Sequence, residues 1–420
     1  MSEFYDDLET RDPEVREAAW LAALPAAVAR AQATTAGAAL LAGVDPLAVT
    51  SREALASLPV TRKSELLARQ QAARAAGGDP FGGFSAIGWR ALGLRPARRV
   101  FQSPGPIYEP EGAAADYWRF GRALYAAGFR AGDLVHNSFS YHLTPAGSMM
   151  ETGAHAIGCT VFAGGIGNTE LQLQAMQELR PDAYAGTPSF LRIALEKAEE
   201  AGLALPFLTK ASVGGEAFPP SLRDWLAARG VAAYQSYGTA DLGLIAYETA
   251  ARDGLVLDEG VIVEIVRPGT GTPVPEGEVG EVVVTTLNPD YPLVRFGTGD
   301  LSARMAGPCP TGRTAPRIRG WMGRADQTAK VRGMFVHPGQ VAEVLKRHPE
   351  AGRGRLVIEG EMANDRMTLR VECAGAPEGL ASAIAGTLRD VTKLRGEVAL
   401  VAPGSLANDG KVIEDARRYD

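Results

Sequence analysis

Four short segments of the sequence place Gly, an acid or a polar residue at the end of a predicted strand. They are ASVGGEAF at 211–218, YQSYGTADLG at 234–243, YPLVRFGTGDLSAR at 291–304 and MGRADQTAKVRG at 322–333. In an open α/β sheet, ligands bind beyond the carboxyl ends of the strands, so residues at such ends are candidates for binding. Each segment, taken by itself, also suits an ordinary turn.

The side chains of the second and third segments suit a nucleotide. The ring of Tyr237 can stack on a base, the hydroxyl of Thr239 can hydrogen-bond a phosphate, and the carboxylate of Asp241 can bind a hard cation such as Mg²⁺. Asp300 follows a Gly-Thr-Gly turn, from which its carboxylate can accept two ribose hydroxyls. The alternatives at this point are a core tyrosine, a helix cap and an aspartate that serves its own turn.

The elements that would position these residues follow from the pattern of apolar runs. From about Asp133, short apolar runs that end in glycine or small polar residues alternate with helical stretches such as TELQLQAMQELR. Strands that alternate with helices predict a mainly parallel, doubly wound sheet, and hence an α/β fold. From Leu255, Gly and Pro turns predict an antiparallel, β-rich part, a barrel or a small sheet, attached to that core.

The two ends of the chain differ from this core. Residues 11–36 have apolar and charged positions at helical spacing and predict an amphipathic helix. From Arg324 the pattern predicts a helix, two strands, a helix and a strand, which suits a small α+β domain. Because 420 residues are too many for one core, we predict a large N-terminal domain of 1–325 and a small C-terminal domain of 326–420.

The composition argues against several classes of protein. The formal net charge is -6, and no block of Lys and Arg is long enough to bind nucleic acid. The apolar runs fall short of the roughly 20 residues that cross a bilayer, and the acidic start lacks the bases of a signal peptide. Cys159, Cys309 and Cys373 lie far apart, which favours a reducing compartment. We therefore predict a cytoplasmic protein with small-molecule partners, without nucleic acid or membrane.

The order of the four segments, followed by NDGK at 408–411, resembles the order of the core motifs in the adenylate-forming (AMP-binding) ligases. GNTELQLQAMQELRPDAYAGTPSFL at 167–191, LPVTRKSELL at 58–67 and RDPEVREAAW near the start resemble the phenylacetate-CoA ligase branch. The resemblance covers nearly the whole chain and allows a homodimer. It implies a mobile C-terminal domain and a reaction in which ATP, with Mg²⁺, activates a carboxylic acid as its adenylate before coenzyme A displaces AMP.

The same resemblance implies which residues surround the nucleotide. Those expected to border adenine, adenylate, ribose or phosphate are Gly214, Gly215, Glu216, Tyr237, Gly238, Thr239 and Asp300. Within this set, the Gly-Gly-Glu segment is expected at the adenine and acyl pocket. The aspartate is expected to hold the ribose hydroxyls.

Three further residues are expected to act at or beyond the domain boundary. The resemblance implies that Arg324 approaches ribose or phosphate, that Asp326 is the hinge of the small domain, and that Lys411 bridges the substrate carboxylate and the α-phosphate. Attack of a carboxylate on phosphorus brings anions together, and a mobile cation stabilises the developing charge. A lone C-terminal lysine is otherwise an ordinary surface charge.

The acid pocket is expected along NSFSYHLTPAG at 137–147. Phe139, Tyr141 and His142 would form its wall, and their rings suit a flat, aromatic or arylacetic acid. His142 can donate a hydrogen bond to a carboxylate, but it also suits a core position beside aromatic residues.

The segment RVFQSPGPIYEPEG at 99–112 departs from the family pattern. The family's phosphate loop is rich in Ser, Thr and Gly and closes with Lys, whereas this segment retains only Ser103 and Gly105. Three prolines remove backbone donors, and Glu109 and Glu111 are expected to add negative charge near the pyrophosphate oxygens. Asp241 also replaces the usual Glu.

Three functions therefore remain open from the sequence. The first is an AMP-forming acyl-CoA ligase for an aromatic or arylacetic acid. The second is an impaired homologue that binds an adenylate or acyl-CoA and no longer uses ATP efficiently. The third is transfer of the acyl group to a carrier-protein thiol, for which the sequence offers no carrier domain.

Overall fold

The structure of the protein is a computed structural model that describes residues 3–322, 324–325, 329–332, 334–336, 338–360, 365–375, 377–407 and 411–417. Its backbone contacts divide the chain into two compact units. The first unit consists of residues 1–218 and 222–323, and the second of residues 219–221 and 324–420. Each unit has an apolar core of its own.

Helices and strands follow one another along the whole described chain. The α-helices are α1 (Pro13–Gln32), α2 (Thr35–Leu40), α3 (Arg52–Ala56), α4 (Lys63–Ala75), α5 (Phe120–Ala126), α6 (Ala146–Ala156), α7 (Thr169–Leu179), α8 (Pro188–Glu200), α9 (Pro220–Ala227), α10 (Pro338–Lys346) and α11 (Leu380–Thr392). The strands are β1 (Thr61–Arg62), β2 (Ile87–Gly88), β3 (Arg95–Pro96), β4 (Arg99–Ser103), β5 (Ile107–Glu111), β6 (Leu134–Asn137), β7 (Thr160–Ala163), β8 (Ala183–Gly186), β9 (Lys210–Val213), β10 (Ala232–Thr239), β11 (Gly243–Glu248), β12 (Leu255–Leu257), β13 (Val261–Val266), β14 (Val279–Thr286), β15 (Phe296–Met305), β16 (Arg317–Ile318), β17 (Ala329–Val331), β18 (Met334–Val336), β19 (Gly354–Glu359), β20 (Arg366–Glu372), β21 (Glu397–Val401) and β22 (Ile413–Asp415). Among the residues described, no helix combines the length and the apolar character needed to cross a membrane.

Capping residues explain where the first helices begin. The carboxylate of Asp12 accepts hydrogen bonds from two N–H groups of the first turn of α1, at 2.8 and 3.2 Å, and Pro13 occupies the first helical position, where no N–H is needed. The helix ends at Gln32, and Thr34 caps the separate α2. The helix predicted over 11–36 is therefore two helices.

A single sheet of twelve strands runs through the described part of the first unit. Its order is β13-β14-β15-β16-β12-β11-β10-β9-β8-β6-β7, with β1 beside β15. From β10 to β7 all neighbours are parallel, which confirms the predicted doubly wound core. The β-rich part is antiparallel and continuous with that core, because β10 pairs in parallel with β9 and then antiparallel with β11.

The parallel strands carry the candidate residues to one edge of the sheet. β6, β8, β9 and β10 end at Asn137, Gly186, Val213 and Thr239. Parallel strands end on the same side, so the loops that follow these four residues lie along a common edge. The Gly-Gly-Glu and Tyr-Gly-Thr segments belong to this edge.

The second unit has its own four-stranded sheet within the described residues. The strand order is β21-β20-β19-β22, and β17 and β18 form a separate two-stranded sheet. Helices α10 and α11 contribute Val341, Val344, Ile384 and Leu388 to an apolar cluster shared with the strands. The helices and strands predicted for a small α+β region are thus present.

Candidate functional site

The glycine pair after β9 lies at the sheet edge, where Gly214 is buried and Gly215 is exposed. A Cβ at Gly214 would lie 2.9 Å from the carbonyl oxygen of Ser236 on neighbouring β10. Gly215 has a φ of 78°, in the left-handed region that side chains disfavour. The packing thus requires glycine at the first position, and the backbone conformation favours it at the second. A flat ligand can approach such a segment closely.

Glu216 fixes this segment to the start of α8. Its Oε1 accepts a hydrogen bond from the backbone N–H of Ser189 at 2.7 Å. A carboxylate at a helix N-terminus is stabilised by the unsatisfied N–H groups there and by the helix dipole. Glu216 is half-buried, and its hydrogen bond to Ser189 orients the loop after β9. This loop was predicted to border the adenine.

Two aromatic side chains orient the carboxylate of Asp300. The hydroxyl of Tyr237 donates a hydrogen bond of 2.9 Å to Oδ2, and Nε1 of Trp321 donates one of 3.1 Å to Oδ1. Asp300 lies in β15 and is 8% exposed. Hydrogen bonds to a charged acceptor are the strong ones, so the carboxylate is held in one orientation. Such fixed geometry is what recognition of a diol requires.

An irregularity in β10 follows the tyrosine directly. The pairing of β10 with β11 shifts register between Tyr237 and Gly238, as in a β-bulge. Bulges re-aim side chains and are common beside functional sites. The hydroxyl of Thr239 then accepts a hydrogen bond from the N–H of Leu242 at 3.2 Å, which fixes the turn that carries Asp241.

The segment 99–112, predicted at the position of the family's phosphate loop, forms a β-hairpin. β4 and β5 pair antiparallel with Ser103 opposite Ile107, and the three exposed residues 104–106 connect them. A phosphate cradle needs consecutive backbone N–H groups that point at the anion. Prolines occupy two of the three connecting positions and have no N–H.

The two acids of the hairpin are directed into the protein. Glu109 and Glu111 are both 0% exposed. Residues two apart share one face of a strand, and this face of β5 is packed inward. Glu111 accepts hydrogen bonds from Nε1 of Trp118 at 2.8 Å and from the hydroxyl of Ser148. Both carboxyl groups of the hairpin are therefore buried within the first unit.

Glu109 is bound by the first strand of its own hairpin. The hydroxyl of Ser103 donates to Oε1, and the backbone N–H of Ser103 donates to Oε2 at 3.2 Å. Burial, and then the charge of Asp241, raise the pKa of Glu109 to about 8, while Lys63 and Ser103 oppose the shift. The group is therefore mostly protonated, and neutral, at pH 7.

Asp241, the predicted metal ligand, is paired with a lysine. Nζ of Lys63 lies 2.7 Å from Oδ2 of Asp241, whose side chain is 0% exposed. Oδ1 is also buried and has no hydrogen-bond partner among the described residues. Mg²⁺ keeps several of its waters and needs oxygen ligands that a hydrated ion can reach. This arrangement does not fit Mg²⁺, and the described residues contain no group of three or more His, Cys, Asp or Glu side chains that could hold a metal.

The residues predicted for the acid pocket do not converge. Phe139 packs into the apolar cluster of the first unit, whereas His142 is exposed. The hydroxyl of Tyr141 accepts a hydrogen bond of 2.8 Å from the amide of Asn137. Burial, followed by the charge of Glu151, raises the pKa of Tyr141, so its phenol stays neutral. These side chains thus face different environments at the end of β6.

The predicted residues of the second unit are described in part. Arg324 is half-buried, and Lys411 is exposed just before β22, which pairs in parallel with β19. Asp326, the predicted hinge, lies outside the described residues.

Sequence reasoning missed two side chains of the site. Lys63 was not predicted as a site residue, because its partner Asp241 is 178 positions away in the chain. Trp321 precedes the fourth segment and carried no signal of its contact with Asp300. In the sequence, the position of this tryptophan just before the predicted domain boundary was the only indication of its importance.

A comparison of the sequence with known families defines the class of this protein. The family model described as AMP-binding enzyme matches residues 116–288, which include the glycine pair, Glu216 and Tyr237. This part of the chain, residues 116–288, is thus similar to AMP-binding enzymes.

Individual relatives define the family more closely. Phenylacetate-coenzyme A ligases of Thermus thermophilus and Aromatoleum evansii are 32% and 31% identical to the chain over 349 and 347 residues. Each alignment covers 79% of this chain, and 75% and 74% of the respective relative. The chain belongs to the phenylacetate-coenzyme A ligase family, which confirms the resemblance seen in the sequence.

A solved structure of similar fold covers the whole chain. The crystal structure of 2-hydroxyisobutyryl-CoA ligase in complex with 2-HIB-AMP and CoA, in its thioesterification state, has a TM-score of 0.83 and 25% identity. The similarity extends over 100% of this chain and 93% of that chain. The predicted fold class, a large α/β part with a smaller α+β part, is confirmed.

Proposed function

We propose that the chain is an AMP-forming acyl-CoA ligase. In the first step a carboxylate oxygen of the substrate attacks the α-phosphorus of ATP, which forms an acyl-adenylate and releases pyrophosphate. In the second step the thiolate of coenzyme A attacks the acyl carbonyl, the thioester forms, and AMP leaves with the bonding electron pair. The observation that carries this proposal is the carboxylate of Asp300, held by Tyr237 and Trp321 in a chain of this family.

The nucleotide is assigned to the edge of the parallel sheet. Asp300 accepts the ribose hydroxyls, and Tyr237 both orients that carboxylate and offers its ring to the adenylate. Gly214 and Gly215 supply backbone without side chains beside the adenine, where the loop is fixed by the contact of Glu216 with α8. Further nucleotide contacts are assigned to residues of the turn after β10 and of the hairpin: Gly238, Thr239 and Ser103.

The second unit supplies the mobile cation in this proposal. We assign to Lys411 the task of bridging the attacking carboxylate and the α-phosphate, since an ammonium lowers the cost of bringing two anions together. Arg324 is assigned to ribose or phosphate and Asp326 to the hinge. The small domain that turns on this hinge is taken as residues 326–420.

The acid is proposed to be aromatic or arylacetic. Two relatives that share about a third of their residues with the chain are named phenylacetate-coenzyme A ligases. The aromatic residues of the 137–147 segment, Phe139 and Tyr141, are compatible with a flat acid. A panel of acids should also contain a short hydroxy acid, because the similar solved structure is that of a 2-hydroxyisobutyryl-CoA ligase.

The hairpin at 99–112 favours a second candidate function. A turn with two prolines offers few donors to a triphosphate, so the chain could hold AMP, an adenylate or an acyl-CoA and adenylate poorly. Calorimetry separates the two candidates. AMP binding much tighter than Mg-ATP binding favours the impaired homologue, whereas tight binding of Mg-ATP favours the ligase.

Pyrophosphate release tests the leading proposal. Purified protein with ATP, Mg²⁺, coenzyme A and a panel of aromatic, arylacetic and short hydroxy acids should release pyrophosphate only with an accepted acid. Asp300→Ala is the matched control for background hydrolysis, since it removes the proposed ribose contact. Absence of turnover with every acid, and of exchange between ATP and pyrophosphate, would overturn the proposal.

The acceptor and the compartment complete the proposal. Coenzyme A is favoured over a carrier-protein thiol, since relatives and the similar structure are named for CoA ligases. All three cysteines are buried and free, as suits a reducing compartment such as the cytoplasm.

A further inference from the structure

We propose that the ammonium of Lys63 is the counter-ion of Asp241, and that this carboxylate therefore binds no divalent metal at the nucleotide site. The inference rests on the proposed function only in placing a nucleotide near Asp241. Its test measures metal binding without turnover. The consequence for binding is that AMP should bind equally well with and without a divalent cation.

The position of Lys63 is fixed by the fold. It is the first residue of α4 and directly follows β1, which pairs in parallel with β15. The N–H of Arg62 donates to Oε2 of Glu65 at 3.1 Å, which fixes the first turn of the helix. The pairing of β1 with β15 and the start of α4 therefore place the lysine beside Asp241.

Both oxygens of Asp241 are closed to a hydrated metal ion. Nζ of Lys63 lies 2.7 Å from Oδ2, and Oδ1 is buried. A cation and an anion at this distance in a buried site neutralise each other, and removing one partner leaves an uncompensated buried charge. A divalent ion would have to displace the ammonium and lose most of its water to reach this carboxylate.

The neighbouring oxygen groups do not complete a metal site. Both carboxyl oxygens of Glu109 accept hydrogen bonds from Ser103, so they are already used within the hairpin. The hydroxyl of Tyr291 is buried without a hydrogen-bond partner among the described residues. Burial, and then the charges of Asp241 and Glu109, raise the pKa of Tyr291, so its phenol stays neutral and adds no anionic ligand. The local donor set therefore suits an ammonium.

Manganese binding, followed by electron paramagnetic resonance, tests the proposal with the full chain and Mn²⁺ alone. Wild-type protein should leave the signal of free Mn²⁺ unchanged. Lys63→Met leaves the buried carboxylate of Asp241 without its cation and should lower the midpoint of urea unfolding, and Lys63→Met combined with Asp241→Asn should recover most of that loss. The double variant is the matched control, because it also removes the uncompensated charge.

Two results would overturn the proposal. One is a stoichiometric Mn²⁺ site in the wild-type chain that Asp241→Asn removes. The other is a double variant that recovers none of the stability lost in a folded Lys63→Met variant, since Lys63 would then not be the cation that compensates Asp241. If Lys63→Met does not fold, wild type and Asp241→Asn decide the question by themselves.

Calorimetry of AMP supplies a second measurement on the same proteins. The dissociation constant of AMP should be the same in EDTA and in Mg²⁺. A weakening of more than about tenfold in EDTA, seen in wild type and absent in Asp241→Asn, would contradict the proposal. A chain that binds AMP in this way but releases no pyrophosphate would overturn the proposed function and leave the assignment of Lys63 intact.

Discussion

The hydroxyl of Tyr237 lies 2.9 Å from Oδ2 of Asp300, although the two residues are 63 positions apart in the sequence. The hydrogen bond joins β10, the last strand of the parallel part, to β15 in the antiparallel part of the same sheet. One residue that we propose to face the nucleotide thereby orients another. The continuity of the sheet across β10 makes this contact possible.

Loss of this hydrogen bond should weaken nucleotide binding. Tyr237→Phe keeps the ring and removes the donor, so Asp300 is less firmly oriented. We expect the affinity for AMP to fall roughly tenfold, equivalent to about 1.4 kcal/mol, as measured by calorimetry. Tyr234→Phe, on the same strand, is the control and should bind AMP as wild type does. Equal affinities for Tyr237→Phe and wild type would show that the hydroxyl has no part in binding.

Glu109 should make the stability of the protein depend on pH. Its pKa is raised from 4.5 to about 8, so the folded chain holds this proton more tightly than the unfolded chain does. Stability must then fall as pH rises from about 4.5 to 8, by at most about 1.4 kcal/mol per pH unit for one proton. Urea unfolding of wild type and Glu109→Gln across this range should show a shallower fall in the variant. Identical slopes would argue against a buried, protonated Glu109.

A lysine at position 109 should not restore a phosphate loop. The side chain is fully buried, and Glu109→Lys would place a second ammonium beside Lys63 with only one carboxylate to compensate. We expect the variant to lose roughly 3–5 kcal/mol of stability and to gain no ATP-dependent activity. Thermal unfolding and pyrophosphate release measure the two effects, and Glu109→Gln is the control of similar size. A folded Glu109→Lys variant with raised ATP affinity would contradict the buried position of this residue.

Lys411 should affect one half-reaction only. Lys411→Ala removes the cation assigned to the adenylation step, and loss of one such electrostatic contact typically lowers a rate about 10²–10³-fold. Formation of the thioester from supplied acyl-adenylate and coenzyme A should be little changed. Lys393→Ala, also an exposed lysine of the second unit, is the control. Equal losses in both half-reactions would indicate a different role for Lys411.

Repeating local patterns allowed much of the fold to be predicted. The alternation of short apolar runs with helical stretches predicted the parallel strands, and it also predicted α10, α11 and the strands β19, β20 and β21 of the second unit, but not β22. The first helix was predicted too long, because alanine-rich sequence continues past Gln32 while Thr34 starts a new helix. The capping residues set the boundary between α1 and α2, and the spacing of apolar residues does not reveal caps.

Contacts between distant residues could not be predicted in the same way. The burial of Glu109 and Glu111 was not predicted: their two-residue spacing places both on one face of a strand, and that face is buried. The pairing of Lys63 with Asp241 depends on where β1 docks beside β15, which no local pattern specifies. The family motifs, in contrast, led to the prediction of Tyr237 and Asp300 as site residues without any knowledge of their contact.

The central claim is that this chain adenylates a carboxylic acid, and acid-dependent exchange of labelled pyrophosphate into ATP tests it most directly. The ligase function predicts exchange that requires an accepted acid and is lost in Asp300→Ala. Absence of acid-dependent exchange in a folded wild-type protein that binds AMP tightly would contradict the claim.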